Sequence, residues 1–470
     1  MRYVLLVDFG STFTKLTAVD LEKELIIATS KALTTVEVNI NIGFENALKR
    51  LNDQLETPLT FDDMVACSSA AGGLKMAAIG LVEDLTTEAA KRVCLGAGAK
   101  VELVLSHHIN DDEIQSIIDK KIDIVLLAGG ANGGNKECVI FNAKKLAESN
   151  VTAPIVFAGN KDATDEIKAI LKASGKSFYM CENVMPRLNV LNIQNAKETI
   201  KEIFVKNIIE AKGIKKIEKR ISKVILPTPN AVLLAAELLS KGFDEEEGLG
   251  DLLLCDVGGA TTDVYSMADG YPKQANYILS GLEEPFAKRT VEGDLGMRHS
   301  ALGVYQAFSQ PEVAHYKKQG IDLELEAKQR HHYVDFIAIH DHEYFVDDLM
   351  ASKCIETAVS RHVGTIKGVY TPHGIMYYQV GKDLSKTNYI IGVGGVIISS
   401  KKPVDILKKA GQIETKPLEL RPKDAKYLLD KKYMLSAMGL LSIDYPEKAL
   451  RMMKKYLEEI QERTDDASTE

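Results

Sequence analysis

The sequence predicts an α/β protein of two lobes, and three observations predict it. First, short apolar runs alternate with stretches of helical periodicity, most regularly between residues 100 and 185. Second, an apolar strand ends in an acidic residue followed by a glycine turn at two places, Asp8 and Asp256, one in each half of the chain. Third, a glycine cluster follows a later strand, at Gly392 to Gly395.

The predicted elements follow from these patterns in chain order. Continuous apolar runs predict strands at 3–8, 15–20, 24–29, 64–69, 101–105, 122–128, 154–158, 177–181, 251–257 and 388–391. Helical periodicity predicts helices at 43–55, 86–97, 111–119, 135–148, 161–174, 230–240 and 446–462, with a basic-acidic helical stretch at 197–223. Strands separated by helices of this length indicate parallel βαβ units. Residues 310–375 are mixed in pattern, and we expect 463–470 to be a frayed tail.

Length and composition limit the class of protein. The 470 residues predict two to four domains. A formal net charge of −8 argues against nucleic-acid binding, and no apolar run is long enough to span a membrane. The N-terminus lacks the pattern of a signal peptide, and six scattered cysteines indicate reduced thiols, so we expect a cytoplasmic protein.

The domain boundaries are expected as follows. Residues 1–100 would form the first part of one lobe, with the Asp8 loop, and 201–400 a second lobe with the Asp256 loop and the glycine cluster. Residues 101–200 would either complete the first lobe or form an inserted α/β segment. Residues 401–470 would be a helical part that returns to the first lobe.

The two acidic loops share one spacing, in DFGSTFTKL from Asp8 and DVGGATTDV from Asp256. Glycine follows each acid by two positions and threonine by six, which is typical of a tight β-hairpin. A turn with little side-chain bulk lets backbone N–H groups approach a phosphate, and hydroxyl groups can add donors. The phosphate-binding candidates are Gly10, Ser11, Thr12, Gly258, Gly259, Thr261 and Thr262.

The aspartates are expected to bind the metal, whereas the turns that follow them are expected to bind phosphate. Asp8 and Asp256 are placed to hold Mg²⁺ through water, because Mg²⁺ takes one or two carboxylates together with phosphate oxygens. At the eighth position Lys15 can pair with a phosphate, whereas Asp263 can complete the metal shell or orient water. The alternative is that each loop is only a hairpin with a glycine turn. A P-loop motif is absent from the sequence.

The glycine cluster Gly392, Gly394 and Gly395 can pack flat against an adenine or a ribose. With the two loops, it resembles the phosphate-1, phosphate-2 and adenosine motifs of the superfamily of actin, heat-shock chaperone ATPases and sugar kinases. The resemblance implies an actin-like, ribonuclease H-like two-lobed ATPase fold with a nucleotide cleft between the lobes. It also implies ATP and Mg²⁺ as cofactors and Asp8, Asp256 and Asp263 as catalytic residues.

Two segments resemble the connecting helices of that superfamily, one beginning at Thr228 and one containing Gly439. In the chaperone ATPases the first connecting motif supplies a carboxylate that helps to position the attacking water. The matching position here is Thr228. The resemblance therefore implies slow hydrolysis, or water oriented by another group such as Asp256 or Asp263.

Most of the chain resembles the glutamate-mutase-associated MutL/GlmL family. The resemblance is carried by 8–20, 66–82, 126–137, 256–266, 289–298 and 390–397, and extends through 430–441. It implies an ATP-driven partner of adenosylcobalamin-dependent mutase subunits, one that removes damaged cobalamin. Homo-oligomerisation is left open.

Two other functions are alternatives for this sequence. A small-molecule kinase of the same fold needs a general-base carboxylate facing a substrate cleft, and a non-catalytic assembly protein would bind nucleotide only for structure. The histidines His331, His332, His340 and His342 are interpreted as a surface or partner contact rather than a metal site. Glu292 and Asp294 are candidate cleft residues, and a capping or structural role is an equal alternative for them.

Overall fold

The computed structural model describes residues 2–10, 13–34, 40–69, 74–211, 223–372 and 374–462. The chain divides into two compact units. The first comprises Met1–Val232 and Gly439–Ile443, and the second comprises Leu233–Met438 and Asp444–Glu470.

The first unit contains two five-stranded sheets with helices between the strands. Its strands are β1 (Tyr3–Phe9), β2 (Phe13–Asp20), β3 (Leu25–Leu33), β4 (Asp63–Ser68), β5 (Lys75–Gly80), β6 (Lys100–Ser106), β7 (Ile124–Leu127), β8 (Ile155–Phe157), β9 (Phe178–Met180) and β10 (Lys223–Pro227). Its helices are α1 (Ile40–Asn52), α2 (Glu88–Gly96), α3 (Asp111–Asp119), α4 (Glu137–Glu148), α5 (Thr164–Ala173) and α6 (Gln194–Ala211). Short π and 3-10 turns precede α2 and α5, at Glu83–Thr87 and Lys161–Ala163.

The first sheet of this unit has the order β3-β2-β1-β4-β10. Strand β2 runs antiparallel to β1 and β3, whereas β1, β4 and β10 are parallel. The central strand β1 is buried on both faces, from Val4 to Phe9. Such a strand reads as a continuous apolar run, which is why the sequence predicts it well.

The second sheet has the order β6-β5-β7-β8-β9 and is parallel throughout. This is the doubly wound 2-1-3-4-5 arrangement, covered by helices that bury Ile114, Val139 and Ile167 against it. The predicted βαβ units are therefore present, and the sheet begins earlier than expected, with β5 at Lys75.

The second unit contains a six-stranded sheet, a three-stranded sheet and a short hairpin. Its strands are β11 (Gly242–Phe243), β12 (Glu246–Glu247), β13 (Leu252–Val257), β14 (Thr262–Met267), β15 (Tyr277–Ser280), β16 (Ala287–Glu292), β17 (Thr365–Thr371), β18 (Gly374–Val380), β19 (Tyr389–Val393), β20 (Lys426–Leu429) and β21 (Glu458–Ile460). The remaining helices are α7 (Thr228–Lys241), α8 (Ala301–Ala307), α9 (Gln310–Lys318), α10 (Leu323–His332), α11 (Asp341–His362), α12 (Gly395–Ser399), α13 (Pro403–Leu407), α14 (Leu435–Leu441) and α15 (Pro446–Tyr456), with a 3-10 turn at Lys408–Ala410.

The main sheet of the second unit has the order β16-β14-β13-β19-β20-β21. Strands β13, β14 and β16 are antiparallel neighbours, and β13, β19 and β20 are parallel. Helix α11 packs on this sheet and buries Met350, Cys354 and Ala358 in the core.

The two main sheets therefore share one strand order. Numbered along the chain within each sheet, five strands follow the order 3-2-1-4-5, with three antiparallel strands and then two parallel ones. This is the ribonuclease H-like arrangement, and its presence in both units confirms the predicted actin-like fold class.

Three predicted elements differ from the structure or extend beyond the residues that it describes. The helix predicted at 446–462 is wrong at its end, because α15 stops at Tyr456 and Glu458–Ile460 pairs with β20 as strand β21. The predicted helical stretch 197–223 overlaps α6, which begins three residues earlier at Gln194, and it ends in the first residue of strand β10; 212–222 lie outside the described residues. The predicted frayed tail, 463–470, also lies outside them. Among the helices that the structure describes, none is long and apolar enough to cross a membrane.

Candidate functional site

The first acidic hairpin is formed by β1 and β2. Their register places Asp8 directly opposite Lys15 and Phe9 opposite Thr14. The turn is closed by the Gly10 N–H, which donates to the Phe13 carbonyl at 3.1 Å. A Cβ on Gly10 would lie 2.6 Å from that carbonyl oxygen, so this turn excludes side chains at position 10. The candidates Ser11 and Thr12 lie outside the described residues.

Asp8 is nearly buried, with 6% of its surface exposed. The hydroxyl of Thr228, the first residue of α7, donates to Asp8 Oδ1 at 2.7 Å. Cys67 on the neighbouring parallel strand β4 lies beside Asp8 in the register. Burial, and then the charge of Asp8, raise the pKa of the Cys67 thiol well above its usual value. Asp8 is therefore held at the junction of β1, β4 and the helix that follows β10.

The second acidic hairpin is formed by β13 and β14, and its register places Asp256 directly opposite Asp263. Arg289 on β16 contacts Asp263 Oδ1 through Nε at 2.8 Å and through Nη2 at 2.6 Å. The Thr261 hydroxyl donates to the other oxygen, Oδ2, at 3.1 Å. The side chains of Asp263 and Arg289 are 13% and 4% exposed, so this ion pair is largely shielded from water.

The turn of the second hairpin is braced by the segment after β16. Gly258 N–H donates to the Thr261 carbonyl at 2.9 Å, as Gly10 does to Phe13 in the first hairpin. The Met297 and Arg298 N–H groups donate to the Gly258 and Gly259 carbonyls at 3.0 and 2.8 Å. These contacts fix the carbonyl groups of the turn.

The threonines six residues after each aspartate, Thr14 and Thr262, point inward. Thr262 is fully buried and its hydroxyl donates to the Leu295 carbonyl at 2.9 Å. Thr14 is equally buried, with its hydroxyl 3.1 Å from that of Thr34. The Thr262 hydroxyl is therefore occupied by a hydrogen bond within the core, whereas the Thr261 hydroxyl contacts Asp263.

The glycine cluster lies at the end of β19, beside β13. Gly394 has a φ of +107°, and a Cβ on it would lie 2.3 Å from the Val257 carbonyl oxygen. A Cβ on Gly392 would lie 2.9 Å from the Leu407 side chain, and one on Gly395 would lie 3.0 Å from the Tyr433 hydroxyl. Each glycine therefore has a packing reason within the second unit, and the cluster is held close to the second hairpin through Val257.

Tyr433 is a neighbour of the second hairpin that the sequence did not reveal. Burial, followed by the charges of Asp256 and Asp430, raises its pKa. Its backbone has a φ of +52°, which is uncommon for a bulky residue and marks a constrained position. Both oxygens of Asp430 accept N–H groups at the start of α14, from Met434 and Leu435, each at 3.0 Å.

Sequence reasoning missed Arg289 as well. The strand that carries it, β16, reads AKRTVE, a polar segment without the apolar pattern of a strand. Pairing with β14 makes it a strand and brings Arg289 to Asp263. A signal did exist, because 289–298 carries part of the family resemblance.

The other candidates have internal partners. Glu292 and Asp294 both contact Arg361, at 2.6 and 2.7 Å. His342 lies 2.9 Å from Glu326, and His331 Nδ1 lies 2.9 Å from the His299 carbonyl oxygen. No group of three or more metal-ligand residues was found among the residues that the structure describes.

The duplicated 3-2-1-4-5 sheet, with an acidic hairpin in each copy, defines an α/β protein of the actin-like class. A family model described as "MutL protein" matches residues 4–457. "Protein MutL" of Clostridium tetanomorphum is 50% identical over 459 residues, which are 97% of this chain and 99% of that protein. The chain therefore belongs to the MutL protein family, which confirms the predicted resemblance.

Two solved structures are similar to this chain at much lower sequence identity. A nucleotide-free acetone carboxylase structure, titled for ATP-dependent acetone carboxylation, has a TM-score of 0.44 at 14% identity, covering 94% of this chain and 70% of that chain. A ligand-bound xylulose kinase of Lactobacillus acidophilus has a TM-score of 0.37 at 9% identity, covering 98% and 93%. Neither TM-score reaches 0.5, and the strand order alone supports the fold assignment here.

Proposed function

We propose that this protein binds MgATP with its two acidic hairpins, hydrolyses it slowly and uses it to maintain or reactivate an adenosylcobalamin-dependent mutase of the glutamate mutase type. One observation carries the nucleotide part of the proposal. In two copies of the same sheet, the first strand ends in an aspartate and a glycine turn closed by the same hydrogen bond. A glycine turn can offer backbone N–H groups to phosphates, and the aspartate beside it can hold a metal, so the pair of turns suits a ligand that carries phosphates and a metal.

In the first hairpin we assign the metal-binding role to Asp8 and a phosphate-pairing role to Lys15. Carboxylate oxygens are the ligands that Mg²⁺ prefers, and a single aspartate acting through water is sufficient. When bound, Mg²⁺ would neutralise charge on the phosphates. The turn at Gly10 would offer backbone N–H groups, because a side chain there would meet the Phe13 carbonyl.

In the second hairpin we assign the metal-binding role to Asp256 and a water-orienting role to Asp263. The Arg289 contact fixes Asp263 in one position and balances its charge, so Asp263 is better suited to orient a water than to take a metal. Gly258, Gly259 and Thr261 would contact phosphate from the turn, with the glycine cluster near the nucleoside.

Slow hydrolysis is supported by Thr228. Its hydroxyl donates to Asp8 at 2.7 Å, and a hydroxyl does not accept a proton from an attacking water at neutral pH. A slow ATPase suits a protein that changes state on a partner, because each nucleotide state then persists.

Membership of the MutL family supports the mutase as partner, through the glutamate-mutase association that the family resemblance implies. We place the activity in the cytoplasm, where the six free cysteines would stay reduced.

A first experiment tests the nucleotide part. The purified protein is titrated with ATP and Mg²⁺ by calorimetry, and phosphate release is followed with and without candidate sugars and carboxylates. We expect binding that needs Mg²⁺ and slow release without an acceptor. A phosphorylated acceptor would instead identify a kinase, and binding without hydrolysis would favour an assembly protein.

A second experiment tests the partner. A glutamate-type mutase is inactivated by turnover, and this protein is added with MgATP and fresh adenosylcobalamin. We expect activity to return with the wild type and with Asp165→Ala, an exposed control on α5, but not with Asp8→Ala. Recovery that persists with Asp8→Ala, or no recovery at all, would contradict the proposal.

A further inference from the structure

The first main sheet places two lysines side by side, next to the aspartate of the first hairpin. Lys15 on β2 lies directly opposite Asp8 on β1, and it also lies directly opposite Lys31 on β3. Directly opposite residues have their side chains on the same face of a sheet, with Cβ atoms about 4.5–5.5 Å apart. Asp8, Lys15 and Lys31 therefore form a row across three neighbouring strands, which we call the charged row.

The charged row lies on the face of β3 that helix α1 leaves open. On the covered face, the Ser30 hydroxyl donates to the Ala47 carbonyl of α1 at 2.7 Å, and Ala32 is buried. Successive side chains of a strand point to opposite faces. Lys31 and Leu33 are accordingly exposed on the other face, so the Lys31 side chain is accessible to a ligand.

The backbone that carries Lys31 is held in place, although β3 is an edge strand. An edge strand presents backbone groups that no neighbouring strand pairs. Here the guanidinium of Arg50 on α1 donates to the Lys31 carbonyl at 2.7 Å, and the Gln54 amide donates to the Thr29 carbonyl at 3.0 Å. Strand β2 on one side and these two side chains on the other therefore fix where the Lys31 side chain begins.

The ammonium group of Lys31 leans toward the glycine turn. Lys31 Nζ lies over the ring of Phe13, 5.3 Å from its centroid. Phe13 is the first residue of β2, and its carbonyl accepts the Gly10 N–H that closes the turn. Because Phe13 lies two residues nearer the turn than Lys15 on the same face, the ring holds the Lys31 ammonium at the end of the sheet where the turn lies.

The charges of the row suit an anion. Two like charges at directly opposite positions destabilise a sheet, and the single carboxylate of Asp8 cannot balance both lysines. A phosphate group carries its negative charge on several oxygen atoms, and each can accept a hydrogen bond from an ammonium group. A phosphate between Lys15 and Lys31 would therefore remove the repulsion between them.

We propose that Lys31 is a second phosphate-binding residue, which acts together with Lys15 on the phosphates at the first hairpin, and that Phe13 positions its ammonium group. The proposal rests on the proposed nucleotide function and adds a binding residue to that site. Lys31 lies outside the loop motif that begins at Asp8, because it comes from the next strand and reaches the site only through the pairing of β2 with β3.

The test compares variants that change one charge. Lys31→Gln removes the charge and keeps a long polar side chain, whereas Lys31→Arg keeps the charge. Lys49→Gln is the matched control, because Lys49 is an exposed lysine of α1, which covers the opposite face of β3. For each variant, calorimetry measures the affinity for MgATP, and thermal unfolding is followed with and without MgATP.

We expect Lys31→Gln to bind MgATP roughly tenfold more weakly than the wild type, since it loses one hydrogen bond between charged groups. Lys31→Arg and Lys49→Gln should bind like the wild type. Without nucleotide, Lys31→Gln should melt no lower than the wild type, because the repulsion from Lys15 is removed together with the contact to Phe13. With MgATP its melting temperature should rise less than that of the wild type.

A double-mutant cycle tests the positioning role of Phe13. Phe13→Leu removes the ring below the Lys31 ammonium, so it should weaken MgATP binding in a chain that has Lys31. In the Lys31→Gln background, Phe13→Leu should cause no further loss of affinity. Equal losses of affinity in both backgrounds would show that Phe13 does not act through Lys31, and would contradict this role.

The outcomes separate this inference from the proposed function. If the wild type does not bind MgATP, the proposed function is wrong and this inference fails with it. If the wild type binds MgATP but Lys31→Gln has the same affinity as Lys49→Gln, only this inference is wrong. A lower melting temperature of nucleotide-free Lys31→Gln, with an unchanged affinity for MgATP, would show that Lys31 serves packing alone.

Discussion

Arg289 and Asp263 form an ion pair at the second acidic hairpin that is largely shielded from water, with contacts of 2.8 and 2.6 Å to one carboxylate oxygen. The position of Asp263 corresponds to that of Lys15 in the first hairpin, since each lies directly opposite the aspartate of the first strand. In the first hairpin an aspartate therefore lies opposite a lysine. In the second hairpin two aspartates lie opposite each other, and the basic residue that pairs with one of them comes from a third strand, β16. The two hairpins therefore differ in charge at one matching position.

Replacing Arg289 should destabilise the second unit. Arg289→Met removes the partner of a carboxylate that is 13% exposed, and an uncompensated buried charge costs about 3–5 kcal/mol. The free energy of unfolding in urea measures the loss. Lys328→Ala is the control, because it breaks an ion pair whose side chains are 60% and 49% exposed, and its free energy of unfolding should stay close to that of the wild type. If the two variants lost equal free energy of unfolding, burial of the ion pair between Arg289 and Asp263 would make no contribution to stability.

Gly439 should tolerate no side chain. Gly439→Ala places a Cβ 1.8 Å from the Ala231 carbonyl oxygen, so the two helices must separate and the variant should lose several kcal/mol, roughly 3 or more by the scale of overpacked cores. Gly96, the last residue of α2, is the matched control, since its Cβ would meet only the flexible end of Lys197 at 3.1 Å. Gly96→Ala should be neutral or stabilise by up to about 1 kcal/mol. Thermal unfolding compares the two, and a Gly439→Ala variant as stable as Gly96→Ala would disprove the close helix contact.

Local sequence pattern was sufficient to predict those strands whose burial is directly visible as a continuous run of apolar residues. Strands β1 and β13 are buried on both faces and read as apolar runs, and each ends in an aspartate and a glycine turn. The hairpin register follows from that turn. The fold class and both acidic hairpins were therefore predictable.

Other features depend on pairing between distant segments, which a single sequence does not reveal. Strand β16 is polar, and only its position beside β14 makes it a strand and brings Arg289 to Asp263. The residues Glu458 to Ile460 continue a helical pattern, yet pairing with β20 ends the helix at Tyr456. Tyr433 follows a short turn after β20, and its place beside the glycine cluster at Gly395 depends on β20 lying next to β19. In each case tertiary contacts override local propensity.

Thiol reactivity should follow burial. Cys181 is the partly exposed member of the six free cysteines, and the other five are buried. Burial raises the pKa of both thiols, and that of Cys67 well above its usual value. The two differ in access, because Cys67 is completely buried beside Asp8. Under native conditions a maleimide should modify Cys181 first and Cys67 only on unfolding, as mass spectrometry of digested samples can show. Urea-unfolded protein is the control, where both should react alike, and rapid native labelling of Cys67 would contradict its burial.

Asp348 should give the protein a pH-dependent stability. It lies on α11, and the Ser400 hydroxyl donates to its Oδ2 at 2.9 Å. Burial raises the pKa of its carboxyl group to about 6, with Asp347 and Asp405 adding to the rise and Ser400 and Lys402 opposing it. The ordinary value is about 3.9, so between about pH 4 and pH 6 the folded state holds a proton that the unfolded state has lost. Stability contributed by this group is therefore present at low pH and lost as the pH rises through that window.

The variant Asp348→Asn removes the titration and keeps a group that can accept the Ser400 hydrogen bond. Its free energy of unfolding should equal that of the wild type near pH 4 and exceed it above about pH 6, by roughly 1–2 kcal/mol after solvent screening. Urea unfolding at a series of pH values measures the difference, with Asp165→Asn as an exposed control that should follow the wild type throughout. A constant offset between Asp348→Asn and the wild type across the series would show that Asp348 ionises normally in the folded protein, and that its burial against Ser400 and Asp405 leaves the carboxylate hydrated.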